Sequence, residues 1–451
     1  MASSVEMDFR RACEYFKIEN LNDFQSKSIS NLLNGRDVFL STRTGGGKSL
    51  VYQIYQFIKR EQCTGCQVVV VTPLLSIMKE QCEYLTSLRF KATFIGRDPN
   101  EESDILSGMH DFIYSSPESL LGVQKWRDMM ANSTSIKLIV VDEAHTIIQW
   151  GEADSEQEKE PFREWFGKLG EVRSLVECPI LLITATANKA ARTKVKQLFC
   201  MQKCFEIVDS PDRPNIKLFC HRYTGSLPLS LVFKYLVTSI KDKKEKSERY
   251  LIFCTSIKNC TDVYTMLRME LDKDINYVHM YHSQTAENVK EVIKKDMGHA
   301  DGLIRLLVAT SAAGMGVNFK GVNQVINYGV PKNMDTFVQQ LGRAGRDGTQ
   351  AMALLLYCGR QCKGIDSDMK NYISDDSKCR RNLLLSAYNT DVNKGLLKHL
   401  CCDICEQQCD CGSPDCKLYA HPVVQALTED ISDVETSSSS SESSNSFSDF
   451  S

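Results

Sequence analysis

Four short aliphatic runs, Val38–Leu40, Val68–Val71, Leu138–Val141 and Ile180–Ile183, constrain this chain more than any other feature. None alternates with polar residues, so each suits a strand buried on both faces rather than one with a wet side. A polar turn and then helical periodicity follow, as at Leu50, Val51, Ile54, Tyr55 and Ile58 after the first run. A second series passes through Tyr250–Cys254, Leu306–Ala309, Val325–Tyr328 and Ala353–Tyr357. Strands alternating with helices build parallel sheets covered on both sides, so the two series predict an α/β chain of two tandem parallel-sheet lobes. Two prolines in Ser210-Pro-Asp-Arg-Pro-Asn215 break both helix and strand and set the seam there.

The expected layout is a first lobe over residues 1–208, a linker over 209–222 and a second lobe over 223–360. A small helical, cysteine-rich module over 361–417 and a disordered acidic Ser-rich tail over 418–451 complete it. The composition, 42% hydrophobic and 25% charged, suits a globular chain and neither a fibrous nor a wholly disordered one. No apolar run approaches the ~18 residues of a membrane helix, and the start, MASSVEMDFRR, lacks a signal peptide's apolar stretch. A soluble intracellular protein with no membrane partner is expected. Net charge is −3, but the last 24 residues carry six acids and no base, leaving the rest near +3. A nucleic-acid partner therefore needs a local basic groove. Of 19 cysteines, twelve are scattered before residue 370 as small hydrophobes, and seven crowd between Cys379 and Cys416. In a reducing compartment such crowding points to metal.

Thr44-Gly-Gly-Gly-Lys-Ser49 follows a buried strand and opens a helix. Gly45, Gly46 and Gly47 let backbone N–H groups close around phosphates at the helix N-terminus. Lys48 would neutralise the β- and γ-phosphates, and the Ser49 hydroxyl would bind Mg²⁺. Val140-Val-Asp-Glu-Ala-His145 ends another buried strand. Asp142 is placed to hold Mg²⁺ directly or through water, and Glu143 to orient or deprotonate the attacking water. His145 is expected to link the nucleotide to Thr184-Ala-Thr186. Together these motifs make an ATP site. Its other half is expected from the second lobe, where Gln339-Gln-Leu-Gly-Arg-Ala-Gly-Arg-Asp-Gly348 carries Arg343 and Arg346 on nearly one face if the segment is helical. Either could stabilise charge on the γ-phosphate.

These motifs resemble, in order and over about residues 9–417, the RecQ DNA helicases of superfamily two. Leu21-Asn-Asp-Phe-Gln25 is similar to the segment whose glutamine reads adenine, which gives Gln25 that role. Thr72-Pro-Leu-Leu-Ser-Ile-Met-Lys79-Glu-Gln81 resembles the family's SPLISLMKDQ, a loop along the DNA backbone, so Pro73, Ser76 and Lys79 become implied DNA contacts. Ser116-Pro-Glu118, Thr184-Ala-Thr-Ala187, Asp212-Arg-Pro-Asn215 and Val308-Ala-Thr310 with Gly314-Met-Gly316 follow in turn. The resemblance implies two RecA-like lobes. It makes Arg346 the arginine finger and Arg343 its neighbour on the γ-phosphate.

The chain also departs from the family. Asn22 stands where an arginine is usual. After Gln149-Trp150-Gly151, Glu152-Ala-Asp-Ser-Glu-Gln-Glu-Lys-Glu160 intervenes before Pro161-Phe162-Arg163-Glu164-Trp165 resumes the family's aromatic-rich loop. Trp150, Phe162 and Trp165 either stack on bases beside Arg163 or pack as core aromatics. The five acids of the insertion repel phosphate if they face the groove.

Cys379-Arg-Arg381, Tyr388 and Cys401-Cys-Asp-Ile-Cys405 resemble the family's CRR…CDxC zinc module. Cys379, Cys402 and Cys405 are three ligands for Zn²⁺. The fourth is His399, which has a two-residue gap before Cys402, or Cys401. Cys409, Cys411 and Cys416 either bind a second ion or substitute for a ligand. Cys63-Thr-Gly-Cys66 has no second pair nearby and is expected to be structural.

The resemblance implies an ATP-dependent helicase moving 3′→5′ on single-stranded DNA and separating forked or tailed duplexes, in nuclear repair or recombination. About 30 residues follow the cysteines, too few for the winged-helix region whose hairpin helps part strands in the family. Two other readings are a translocase that strips proteins from DNA and a binding scaffold without turnover. The presence of Lys48, Asp142, Glu143 and Arg346 together speaks against the scaffold. The acidic tail is a candidate surface for protein partners.

Overall fold

The computed structural model describes residues 4–42, 45–151, 163–314, 319–388, 397–413, 416 and 421–429. Thr44, Phe162, the acidic insertion 152–160, Met315 and Gly316, and the tail from 430 onward lie outside the described residues. The chain divides into two compact units, Met1–Pro211 and Asp212–Ser451.

The first unit holds seven strands: β1 (Val38–Ser41), β2 (Gln67–Val71), β3 (Ala92–Phe94), β4 (Phe112–Ser115), β5 (Ile136–Val141), β6 (Ile180–Thr184) and β7 (Phe205–Val208). All pair in parallel, in the order β3-β4-β2-β5-β6-β1-β7. The aliphatic runs feed both faces of this sheet. Val38, Leu40, Val68 and Val70 enter one core with the helix Lys48–Gln62, while Phe39, Val69 and Val71 enter the core on the other face. The two-residue side-chain period divides an unbroken apolar run between two cores, which explains why it shows no polar alternation.

The second unit is a six-stranded parallel sheet: β8 (Ile216–Arg222), β9 (Arg249–Cys254), β10 (Val278–Tyr281), β11 (Leu306–Ala309), β12 (Val322–Tyr328) and β13 (Ala351–Tyr357). The order is β10-β11-β9-β12-β13-β8. β8 corrects the expected linker over 209–222: Ile216 pairs with Ala351, and the register continues to Arg222 opposite Tyr357. Lys217 interrupts the apolar run and hides the strand. Its side chain is fully buried, with the ammonium 2.9 Å from Glu406 Oε1.

The cysteine-rich segment does not form a core of its own. Tyr372, Leu384, Leu385, Tyr388, Cys401, Cys402 and Ile404 join Ile216, Leu218 and Phe337 in one cluster on one face of the second sheet. The helix over 422–429 packs Val423 and Leu427 with Phe219 in the cluster on the opposite face. Among the described residues, no helix is long and apolar enough to cross a membrane.

Candidate nucleotide and metal sites

In the first unit the motifs gather at the carboxyl ends of parallel strands, where open α/β sheets place ligands. The phosphate loop follows β1, Thr72-Pro73 follows β2, Ser116 follows β4, Asp142 follows β5, and Thr184 ends β6. Gly47 caps the helix Lys48–Gln62 with φ +77, and a Cβ there would lie 2.6 Å from Gln25 Nε2, so the position needs glycine twice over. Gln25 Nε2 donates to the Gly47 carbonyl at 3.1 Å. Asn22 and Gln25 form a reciprocal capping box, with Gln25 N–H to Asn22 Oδ1 at 2.9 Å and Asn22 N–H to Gln25 Oε1 at 3.0 Å. The family's usual arginine is thus replaced by a residue that starts a helix and holds Gln25 against the loop. Lys48 Nζ donates to the Thr42 carbonyl at 3.1 Å, across the space the loop encloses.

Asp142 sits in a recess beside this loop. Burial and then the adjacent Glu143 charge push its carboxyl up to about 7, against the opposing pull of Lys48. A carboxylate pair with too little positive charge suits a divalent cation. Ser49 and Asp142 are the residues that would hold Mg²⁺, which would supply positive charge to the nucleotide phosphates. Glu143 adopts φ +53, unusual outside glycine and the kind of strain that gathers at working sites. Its carbonyl accepts from Thr146 Oγ1 at 2.7 Å. His145 is buried, with Nδ1 2.9 Å from Thr184 Oγ1 and 3.4 Å from Glu143 Oε2. Thr184 Oγ1 donates to the Thr186 carbonyl at 2.8 Å, so its lone pairs face the imidazole and call for a protonated Nδ1. The imidazole therefore stands between the Glu143 carboxylate and the Thr184-Ala-Thr186 turn, hydrogen-bonded to Thr184.

In the second unit, the helix carrying Gln339 spans Met334–Leu341 and stops at Gly342. The helical face expected for Arg343 and Arg346 is therefore not formed: both sit on the turns that follow, Arg343 buried and Arg346 half-buried. Residues that the sequence named only as motif letters hold these turns. Arg213 donates to the carbonyls of Gly342 (3.3 Å), Ala344 (3.3 Å) and Gly345 (2.5 Å), and Asn215 Nδ2 to those of Gly345 (2.9 Å) and Thr349 (2.7 Å). Burial, then the like charge of Arg213, lowers Arg346 from its ordinary value. Crowded guanidiniums favour an anion beside them. From the cysteine-rich segment, Tyr388 donates to Asp335 Oδ1 at 2.6 Å and braces the same helix.

The seven clustered cysteines and His399 sort into two groups of four. The donor atoms of Cys379, Cys401, Cys402 and Cys405 lie within 4.8 Å of one another, and so do those of His399, Cys409, Cys411 and Cys416. Cys379 Sγ is 3.5 Å from Cys401 Sγ and 3.9 Å from Cys402 Sγ. Four convergent thiols match the donor set and number of structural zinc. In this arrangement Cys401, not His399, stands with the other three thiols and would be the fourth ligand: the imidazole turns away, with Nδ1 3.3 Å from Cys411 Sγ. Arg381 fixes the first group on the sheet. It is fully buried and donates to Asp212, to the carbonyls of Arg213 (3.0 Å) and Cys401 (3.4 Å), and to that of Ile216. Leu218 N–H donates to the Cys401 carbonyl at 3.3 Å, which covers the outer edge of β8.

Two family models match: DEAD/DEAH box helicase over residues 22–193 and helicase conserved C-terminal domain over residues 231–348. The chain is 28% identical over 409 residues to ATP-dependent DNA helicase Q-like 2 of Arabidopsis thaliana, and 28% identical over 352 to ATP-dependent DNA helicase RecQ of Haemophilus influenzae. These curated relatives are RecQ-type helicases, and it is to them that the chain is similar. These alignments cover 84% and 76% of it but 55% and 52% of the relatives, so it spans about half their length. Among solved structures, this chain resembles S. cerevisiae Dbp5 bound to RNA and ADP BeF3, with TM-score 0.60 and 16% identity over 83% of this chain and 94% of that one. It also resembles the DUF1998 helicase MrfA bound to DNA and AMPPNP, with TM-score 0.62 and 16% identity over 79% and 51%. At such identity the likeness is one of fold.

The RecQ-type nucleic-acid segments are split in their placement. Ser76 and Lys79 are exposed on the first turns of the helix Leu75–Ser87, while Pro73 is buried. Arg163 forks onto Glu118, at 2.6 Å to each oxygen, and donates to the Pro73 carbonyl at 2.9 Å. Burial alone would raise the Glu118 carboxyl, but the Arg163 hydrogen bonds outweigh it and hold the group below its ordinary value. Arg163 thus ties the segment after the insertion to two family motifs. The 45-residue separation of Arg163 and Glu118 in the sequence carries no sign of this pairing. Trp150 packs edge-on against Phe166, ring centroids 5.2 Å apart, and Trp165 lies beneath the Lys168 ammonium at 4.7 Å. Both tryptophans are half-buried at the margin of a hydrophobic core. Arg163 N–H donates to the Trp150 carbonyl at 2.9 Å, so the two ends of the insertion are held together.

Proposed function

We propose that this protein is an ATP-dependent DNA helicase that moves 3′→5′ along single-stranded DNA and separates tailed or forked duplexes, in the nucleus, during repair or recombination. The observation that carries the reading is the convergence of Lys48, Asp142, Glu143 and His145 at the ends of β1 and β5, with His145 wired to Thr184 of β6. Lys48 and the loop N–H groups bind and neutralise the terminal phosphates. Ser49 and Asp142 retain Mg²⁺. Glu143 accepts the proton of the attacking water as the γ-phosphoryl group leaves. Gln339, Arg343 and Arg346 of the second unit are assigned to the same γ-phosphate, with Arg346 as the finger. Gln25 is assigned to adenine. Pro73, Ser76, Lys79 and the aromatic segment around Trp150 and Trp165 are assigned to the DNA strand.

The DNA helicase names of both relatives support DNA as the track. The deciding experiment measures strand separation on duplexes with a 3′ or a 5′ tail, and ATP hydrolysis with and without single-stranded DNA. Hydrolysis stimulated by DNA and opening of only the 3′-tailed duplex are expected. Hydrolysis stimulated equally by RNA, or opening from the 5′ tail, would overturn the substrate or the polarity.

A further inference from the structure

We propose that His399, Cys409, Cys411 and Cys416 bind a second zinc ion, distinct from the one assigned to Cys379, Cys401, Cys402 and Cys405. The four donor atoms lie within 4.8 Å of one another. His399 Nδ1 is 3.3 Å from Cys411 Sγ and 3.8 Å from Cys409 Sγ. A tetrahedral Zn²⁺ with bonds of about 2.0–2.3 Å separates its donors by roughly 3.3–3.8 Å, so His399 already stands at ligand spacing from Cys411 and Cys409. Three thiols and one imidazole are a common donor set for structural zinc, and their softness disfavours magnesium or calcium.

The backbone between the ligands is shaped for this convergence. Cys409 N–H donates to the Glu406 carbonyl at 3.1 Å, so the first thiol leaves directly from the end of the helix Asp403–Gln407. Gly412 adopts φ +67, which reverses the chain immediately after Cys411. Cys416 N–H then donates to the Ser413 carbonyl at 3.1 Å. Apart from its cysteines and the ring of Pro414, the stretch Asp410-Cys-Gly-Ser-Pro-Asp-Cys416 has no apolar side chain to bury. A segment of that composition cannot be held by a hydrophobic core and needs a cross-link.

The ligands of the two sites interleave along the chain. Cys379 belongs to the first, His399 to the second, Cys401, Cys402 and Cys405 to the first, and Cys409, Cys411 and Cys416 to the second. The single turn Lys398–Leu400 sends neighbouring ligands to different sites. The two ions would therefore lock one short segment against the edge of β8. The chain leaves that segment for the opposite face of the sheet, where Val423 and Leu427 are buried. The second ion is placed to pin this crossing.

The test is metal content and donor chemistry of the full chain purified without chelator. Two equivalents of zinc are expected, and zinc-edge X-ray absorption should give an average first shell of about 3.5 sulfurs and 0.5 nitrogen per ion. The double variant Cys409→Ser/Cys411→Ser should retain one equivalent, with an all-sulfur shell. One equivalent in the wild type, or an all-sulfur shell with two, overturns the proposal. So does mass-spectrometric detection of a disulfide among Cys409, Cys411 and Cys416 in freshly purified protein. Because the shell average is read on unmutated protein, a variant that fails to fold does not blunt the test.

Discussion

The phosphate loop and the cysteine segment are both built to close around a small ion or group, yet they are held in opposite ways. The described ends of the loop are tied to the fold of the first unit: β1 leads into it, Gln25 clasps Gly47, and Lys48 reaches the Thr42 carbonyl. The cysteine segment shares the second unit's core rather than forming its own, and two groups of soft donors converge within it. Filling the first site should change turnover and leave the fold nearly unaltered. Emptying the second should remove structure.

The sharpest contrast comes from Lys48→Ala, which should abolish ATP hydrolysis and shift the first unit's thermal midpoint by no more than a few degrees, because the lysine is no part of the core. Glu143→Gln should retain nucleotide binding and lose turnover. A Lys48→Ala protein that unfolds at room temperature would erase the comparison. Next in size, Arg346→Ala should lower turnover about 10³-fold or more, as expected for an arginine finger. A wild-type rate in that variant would transfer the role to Arg343 or to neither.

Cys402→Ser should act on the other side of the comparison. It removes a ligand whose residue is fully buried and should destabilise the second unit by on the order of 4 kcal/mol, with release of zinc and no change in the first unit's unfolding. Separate melting of the two units, followed by calorimetry with and without chelator, reads this directly.

These contrasts show how unevenly the molecule could be read from its sequence. The phosphate and Asp-Glu-Ala-His motifs were legible because their spacing is local and their strands are unbroken aliphatic runs. β8 was not, because a buried lysine paired with Glu406, far along the chain, broke the apolar pattern. The fourth ligand was not either. His399 has the right spacing before Cys402, but the turn at Lys398–Leu400 decides which way each side chain leaves, and spacing carries no direction. Arg213 and Arg381 were visible only as family letters. Their work is to gather carbonyl oxygens that lie far apart in sequence.

A smaller effect separates the two units by pH. His421 is fully buried against Phe219, and burial pushes its imidazole down to about 3, so protonation favours the unfolded chain. Stability present above pH 6.5 should be lost as pH falls toward 3, by up to ~1.4 kcal/mol per unit, in the second unit alone. His421→Asn keeps an acceptor for the Val423 N–H and should flatten the difference between pH 7 and pH 5. An unchanged slope would remove the histidine from the account. Smallest of all, converting Glu156, Glu158 and Glu160 to glutamine should tighten binding to single-stranded DNA a few-fold at low salt, and raise hydrolysis only where DNA is limiting. Unchanged affinity at low ionic strength would direct those charges away from the strand.

The pairing of β8 with β13 has a consequence for how the protein is made. Ile216 leaves the ribosome long before Ala351, its partner, and longer still before Cys401, whose carbonyl closes the outer side of the same strand. Throughout that interval the first strand of the second unit has neither neighbour, and its bare edge could recruit another nascent chain. Lys217 is the second residue of that strand. A charge that the finished protein buries beside Glu406 would, during synthesis, keep this strand from pairing with the wrong partner.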